Sequence, residues 1–166
     1  MYSPTVIGVD PGLVHTGIVM LDFNTDYRRL IVGHRAVVGP DALQSRAAVE
    51  DLTGHKPYST LDIFIEWYRP RSGYAVDEQM MLANTEFKRA LQGELLRNNG
   101  VRQVVSPDLM KLAGVWSFSS RTHHQDLRSA ARIALLGMML EPALNQVLYT
   151  FTTDNIDGRK WDVRTN

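Results

Sequence analysis

Residues 5–17 read TVIGVDPGLVHTG, and this stretch decides the fold class of the chain. The β-rich run that ends at Asp10 predicts a buried strand, Asp-Pro-Gly predicts a tight turn, and the residues from Gly17 onward predict a second strand. Asp10 would then stand at a strand end, which is where α/β sheets bind ligands. Because Asp-Pro-Gly also begins ordinary turns, the motif by itself leaves a catalytic and a structural role for Asp10 equally open.

Hydrophobic patterning predicts the remaining elements outward from this stretch. Five strands are expected at residues 5–10, 17–23, 29–38, 61–66 and 101–105, and residues 146–153 are compatible with a further strand. Helices are expected over residues 40–52, 77–98, 107–114 and 123–140. The apolar stripe of the second helix comprises Met81, Leu82, Phe87, Leu91, Leu95 and Leu96. This order predicts an α/β domain with a mixed five-stranded sheet, three antiparallel strands followed by parallel ones, and helices on both faces.

Composition restricts the function classes. A chain of 166 residues suits one globular domain. The sequence contains no cysteine, which excludes disulfides, thiol catalysis and Cys-ligated zinc. Its apolar runs are too short to cross a bilayer, so we expect no membrane association and a cytoplasmic location.

Charge is neutral overall but unevenly distributed. Residues 1–66 contain 5 Lys+Arg and 8 Asp+Glu, residues 67–132 contain 10 and 6, and residues 133–166 contain 3 and 4. A zero net charge argues mildly against a nucleic-acid-binding protein, but a basic middle segment can form a local face that binds phosphate. In this segment Trp67, Tyr68 and Tyr74 alternate with arginines, a pattern that suits either base stacking or a loop packed on the core.

Two further positions offer metal ligands. Glu66 closes the apolar run of residues 63–65, and a carboxylate there needs a positive partner such as a metal ion or a nearby arginine. His123 and Asp126 are three residues apart at the start of the last helix and would share one face. Asp126 with Ser129 has the same spacing, and Asp126 could also simply cap the helix, so the fourth ligand stays open between His123 and Ser129. His15, His34 and His55 show no ligand spacing and are assigned no role.

Taken together, Asp10, Glu66 and Asp126 offer three hard oxygen donors and His123 an imidazole. Such oxygen-rich sets suit Mg²⁺ or Mn²⁺. Two such ions about 4 Å apart activate a water and stabilise the leaving oxygen in phosphodiester hydrolysis.

A strand with Asp-Pro-Gly and Thr-Gly, a strand ending in Glu, and a late helix opening His-x-x-Asp resemble the RuvC-type Holliday junction resolvases of the RNase H-like superfamily, over about residues 5–140. The resemblance implies that Asp10, Glu66, His123 and Asp126 bind two Mg²⁺ or Mn²⁺ ions and that a basic residue, matched by Lys111, assists catalysis. It also implies a homodimer that cuts four-way DNA junctions. The short stretch between Lys111 and His123 is similar to divergent bacteriophage members, which implies a bacterial or phage-infected cell and possible cutting of forks and flaps as well.

The resemblance divides the chain into a nuclease domain at residues 1–142 and an extension at residues 143–166, whose polar end we expect to be mobile. An actin-like ATPase half shares the opening motif, but it needs a second domain to form its nucleotide cleft. A non-catalytic DNA-binding or scaffolding module of the same fold would be expected to lose one or more of the acids. The retention of Asp10, Glu66 and Asp126 favours the nuclease.

Overall fold

The computed structural model describes residues 2–68 and 75–165, with the backbone alone for residues 75–77. The strands are β1 (Thr5–Asp10), β2 (His15–Asn24), β3 (Arg29–Val38), β4 (Leu61–Glu66), β5 (Glu94–Leu96) and β6 (Asp162–Thr165). The helices are α1 (Ala42–Thr53), α2 (Ala75–Leu91), α3 (Val101–Val104), α4 (Pro107–Leu112), α5 (His124–Leu140) and α6 (Pro142–Ile156). Arg69 to Tyr74, including the arginines and Tyr74 of the predicted stacking segment, lie outside the described residues.

The strands form one mixed sheet in the order β5-β4-β1-β2-β3-β6. β1, β2 and β3 make an antiparallel meander, while β4 runs parallel to β1 and β5 runs parallel to β4. β6 adds to the other edge, parallel to β3. The predicted α/β class and strand directions are therefore confirmed, with six strands in the described part of the chain instead of five.

Helices cover both faces of the sheet. On one face Ile7 and Val9 of β1 pack with the buried residues of α1 and α2, among them Val49 and Phe87. On the other face Val6 packs with α5 and α6. A strand covered on both faces needs apolar residues at every position, which explains the unbroken run before Asp10.

Glycines let α5 lie directly on the sheet. A Cβ on Gly8 would stand 2.0 Å from the backbone oxygen of Ala130, and a Cβ on Gly17 would stand 2.5 Å from the backbone oxygen of Asp126. Gly17 is paired with Asp10 across β1 and β2. The first turn of α5 is thereby brought next to the end of β1.

The segment between α2 and α4 differs from the prediction. α2 ends at Leu91, Leu95 and Leu96 belong to β5, and the run predicted as a strand at residues 101–105 forms the single helical turn α3. Gln92 adopts a left-handed conformation with φ of 53°, which stops the helix. Leu95 and Leu96 fit a helical stripe as well as a strand, and pairing with β4 decides between the two.

The predicted apolar stripe of α2 is also displaced around the helix. Met80 and Phe87 are buried, whereas the side chains of Met81 and Leu82 are 51% and 61% exposed.

The C-terminal residues are helical where a strand had been considered. Residues 146–153 lie within α6, and Pro142 occupies its first turn, a position that proline favours. Trp161 packs edge-to-face against Phe23 and Phe151, which fixes the chain just before β6. The division of the chain at residue 142 stays a prediction. Among the described residues no helix is long and apolar enough to cross a membrane.

Candidate metal centre

Parallel strands bring Asp10 and Glu66 together. β1 and β4 are paired in parallel up to Val9 and Ile65. Asp10 follows Val9 and Glu66 follows Ile65, so the two acids lie side by side at the carboxyl ends of the two strands. The two carboxyl groups lie close enough for protonated Asp10 to donate a hydrogen bond to Glu66, and Asp126 lies close enough for its charge to act on Asp10. Three acids from β1, β4 and α5 therefore meet where β1 and β4 end.

The pKa of Asp10 is raised from its ordinary value to about 10. Burial is the main cause, followed by the hydrogen bond that protonated Asp10 donates to Glu66 and by the negative charges of Glu66 and Asp126. The raised pKa favours the protonated form of Asp10 until a cation takes the place of the proton. A bound divalent cation would neutralise the negative charges of these buried carboxylates and so offset the free-energy cost of burying them.

Glu66 is held by its neighbours. Asn84, which is 2% exposed, donates from Nδ2 to the backbone oxygen of Glu66 at 3.0 Å and accepts from the backbone N–H of Tyr68 at 2.8 Å. The side chain of Asn98 donates a hydrogen bond to the Glu66 carboxylate. Neither asparagine was predicted, because such contacts join residues that only the tertiary fold brings together.

His123 and Asp126 lie together at the start of α5, with Nδ1 of His123 4.0 Å from Oδ2 of Asp126. That nitrogen is buried and has no hydrogen-bond partner among the described residues. A buried imidazole nitrogen without a partner, facing a carboxylate, fits the donor chemistry of a metal ligand.

The structure adds His15 to this group. Ligand atoms of His15, His123 and Asp126 all lie within 4.8 Å of one another, and the two imidazole rings are 4.4 Å apart between centroids. His15 was assigned no role from sequence because it has no nearby partner along the chain. β2 carries it to the site from the far side of the Asp-Pro-Gly turn.

Ser129 and Lys111 take different positions. Ser129 lines a pocket beside Glu66, so the choice between His123 and Ser129 as fourth ligand stays a prediction. Lys111 is exposed on α4, with Nζ 5.4 Å from the centre of the Trp116 ring. Within residues 2–68 and 75–165, no hydrogen bond or ion pair joins Lys111 to the four proposed ligands, and its catalytic role also stays a prediction.

The whole arrangement is similar to known structures. The structure of T. thermophilus RuvC in complex with a Holliday junction substrate aligns at a TM-score of 0.57 with 13% identity, covering 89% of this chain and 94% of that chain. The chain has the RNase H-like fold of RuvC. The predicted resemblance to RuvC is thus confirmed for the fold.

Two further structures align with the chain at lower scores. The Fowlpox virus resolvase in complex with substrate Holliday junction DNA aligns at a TM-score of 0.47 with 11% identity, covering 87% of this chain and 99% of that chain. The yeast mitochondrial Holliday junction resolvase aligns at 0.41 with 15% identity, covering 88% and 84%. No family model and no curated protein matches the sequence.

Proposed function

We propose that the chain is a divalent-metal-dependent endonuclease that hydrolyses phosphodiester bonds in branched DNA. The observation that carries the proposal is the convergence of Asp10, Glu66 and Asp126 from three separate elements, with a raised pKa at Asp10. Charge crowding of this kind costs stability, and such costs concentrate at functional sites. The RuvC fold supports the same chemistry.

Asp10, Glu66, His123 and Asp126 would hold two Mg²⁺ ions, with Mn²⁺ as a substitute. When bound, the ions would supply an activated water and would stabilise the charge on the leaving oxygen. Asp10 must lose its proton before it can bind a cation, so metal affinity should rise with pH. Asn84 and Asn98 hold Glu66 in place, and the packing of Gly17 against the first turn of α5 sets the position of Asp126.

Four-way junctions are the proposed substrate, with forks and flaps as further candidates. The RuvC structure that aligns with this chain contains a Holliday junction. Cutting two strands of such a symmetric substrate calls for two active sites related by a twofold axis, so we propose a homodimer. Lys111 on α4 would assist catalysis, as the nearest match to the basic residue that the resemblance implies.

The test is a cleavage assay on an end-labelled four-way junction, with a linear duplex of the same sequence as the control. We expect strand cuts in Mg²⁺ or Mn²⁺, no cuts in EDTA, and an intact linear duplex. Tight junction binding without cleavage in either metal would identify the chain as a non-catalytic DNA-binding module of the same fold. The absence of both binding and cleavage would reject branched DNA as the substrate.

A further inference from the structure

A small pocket lies on the side of Glu66 that faces α3 and the middle of α5. Its volume is about 60 Å³, far below the roughly 300–1,000 Å³ of pockets that enclose drug-sized ligands. The polar side chains that line it belong to Glu66, Asn98, Arg102, Ser129 and Arg132. A pocket of this size and polarity suits one small anionic group.

The two arginines share the pocket with the Glu66 carboxylate but form no ion pair with it among the described residues. Within residues 2–68 and 75–165, neither Arg102 nor Arg132 forms an ion pair or a hydrogen bond, whereas Arg28 pairs with Asp154 at 3.2 Å. The pKa of Arg132 is lowered by burial and by the positive charges of Arg102 and Arg128. The two guanidinium groups repel one another, and Glu66, which accepts from Asn98, is in no ion pair with either of them among the described residues, so an anion bound between the arginines relieves that repulsion.

Arg128 is engaged elsewhere. Its Nε donates to the backbone oxygen of Trp116 at 2.6 Å, and its guanidinium lies 4.2 Å from the centre of the Trp116 ring. Arg128 therefore adds positive potential next to the pocket while its Nε donor and the face of its guanidinium are engaged by Trp116.

Both free arginines stand on fixed backbone. Arg132 is only partly exposed and is followed by Ile133, which is 1% exposed, and Arg102 follows Val101, which is 9% exposed. Both side chains are thus carried by helices anchored in the core, so the backbone needs no ordering when a ligand binds and the remaining cost is that of fixing the two side chains.

We propose that Arg102 and Arg132 bind a phosphodiester group of the DNA strand that enters the metal centre. The proposal rests on the proposed function and deepens it. Guanidinium groups match phosphate oxygens with paired hydrogen bonds, and the shared wall with Glu66 would tie this contact to the position of the strand at the site. A free phosphate ion has the same chemistry, so the test must separate it from DNA.

The experiment measures junction binding by fluorescence anisotropy in EDTA, at several salt concentrations. The variants are Arg102→Gln and Arg132→Gln, with Arg46→Gln as the matched control, because Arg46 lies on the opposite helical layer and pairs with Glu50 at 3.1 Å. Each test variant should bind about tenfold more weakly and should make the slope of log affinity against log salt shallower by about 0.9. Arg46→Gln should change neither quantity.

Additional measurements keep the result interpretable. Thermal unfolding checks that each variant folds, and the exposed Arg102 provides a test even where replacement of the half-buried Arg132 destabilises the chain. Arg102→Lys should restore the salt slope but only part of the affinity, because lysine keeps the charge and loses the paired hydrogen bonds.

Wild-type affinity and slope in a folded Arg102→Gln variant would overturn the inference while leaving the proposed function intact, provided that the wild type still cuts. The inference also fails if the wild type and the variants show equal slopes of log junction affinity against log salt while inorganic phosphate raises the melting temperature of the wild type alone. That result would assign the pocket to a free anion. A wild type that neither binds nor cuts junctions removes the proposed function and this inference together.

Discussion

Asp10 is a carboxyl group that the fold keeps protonated. Its pKa in the folded chain is about 10, against an ordinary value of 3.8. Between these two values the folded state binds more protons than the unfolded state, so the free energy of unfolding must fall as pH rises through this window. The folded state loses no stability from this group near pH 3.8, and the loss is complete near pH 10.

Replacing this residue should therefore stabilise the metal-free protein. In EDTA at about pH 8, Asp10→Asn should melt at a higher temperature than the wild type. The difference should be about 2–4 °C for each kcal/mol gained in the free energy of unfolding. Calorimetry should show the difference shrinking towards about pH 4, where the wild-type carboxyl is protonated in both states. Asp51→Asn is the control, since Asp51 is exposed and pairs with Arg35 at 2.8 Å. Equal melting temperatures for Asp10→Asn and the wild type at both pH values would mean that Asp10 is not held protonated.

The fourth ligand can be decided by three substitutions. If His123 binds the metal, His123→Ala should lose cleavage, His123→Asp should retain much of it in Mg²⁺ or Mn²⁺, and Ser129→Ala should be mild. The reason is that an imidazole or a carboxylate is a stronger donor than a hydroxyl. Single-turnover cleavage rates measure the effect. If His123→Ala cuts normally and Ser129→Ala loses cleavage, the fourth metal ligand is Ser129 and not His123.

At this scale the sequence was informative for residues whose position depends on local pattern. Asp10 and Glu66 were predictable because each directly ends a buried strand, and Asp126 because it opens a helix. His15 was missed because its partner His123 is remote along the chain, and no periodicity connects β2 to α5.

At the scale of elements, the contact between Gly17 and the first turn of α5 sets the geometry of the acids. Gly17→Ala would place a methyl group 2.5 Å from the Asp126 backbone oxygen, so the helix must move away from Asp10. We expect a loss of about 1–3 kcal/mol in stability and a larger proportional loss of cleavage than of junction binding.

Gly33→Ala is the matched control for this substitution. Its added Cβ would meet Leu52 Cδ2 at 2.8 Å, the end of a flexible side chain on the other face of the sheet. The two variants should be compared by thermal unfolding and by cleavage rate. If Gly17→Ala cuts as fast as Gly33→Ala, the approach of α5 does not control the site.

The wrongly predicted elements share a physical cause. Leu95 and Leu96 suit a helix and a strand alike, so only their pairing with β4 determines β5. Pro142 follows the end of α5 and also occupies the first turn of α6, and a proline marks the start of a helix as readily as its end. Where the sequence pattern fits only one kind of element, as the continuous apolar run of β1 does, the element was predicted with its correct bounds.

At the scale of the whole molecule, the exposed apolar side chains of α2 bear on assembly. Met81 and Leu82 are 51% and 61% exposed, which offers apolar surface to a second copy of the chain. Light scattering at micromolar concentration should report about twice the 18.7 kDa of the chain. Leu82→Glu should shift the mass towards the monomer.

Tyr149→Glu on α6 is the control for the dimer, because Tyr149 is 64% exposed on the opposite helical layer. It should leave the mass unchanged. A wild type that stays monomeric with and without junction DNA would contradict the proposed homodimer.

We propose that the acid cluster around Asp10 is a metal-dependent nuclease centre. The most direct measurement compares cleavage and binding of a four-way junction by the wild type, Asp10→Asn and Asp51→Asn in Mg²⁺. We predict that Asp10→Asn abolishes cleavage while junction affinity persists, because phosphate contacts supply most of the binding, and that Asp51→Asn cuts normally. Cleavage by Asp10→Asn at the wild-type rate would contradict the claim.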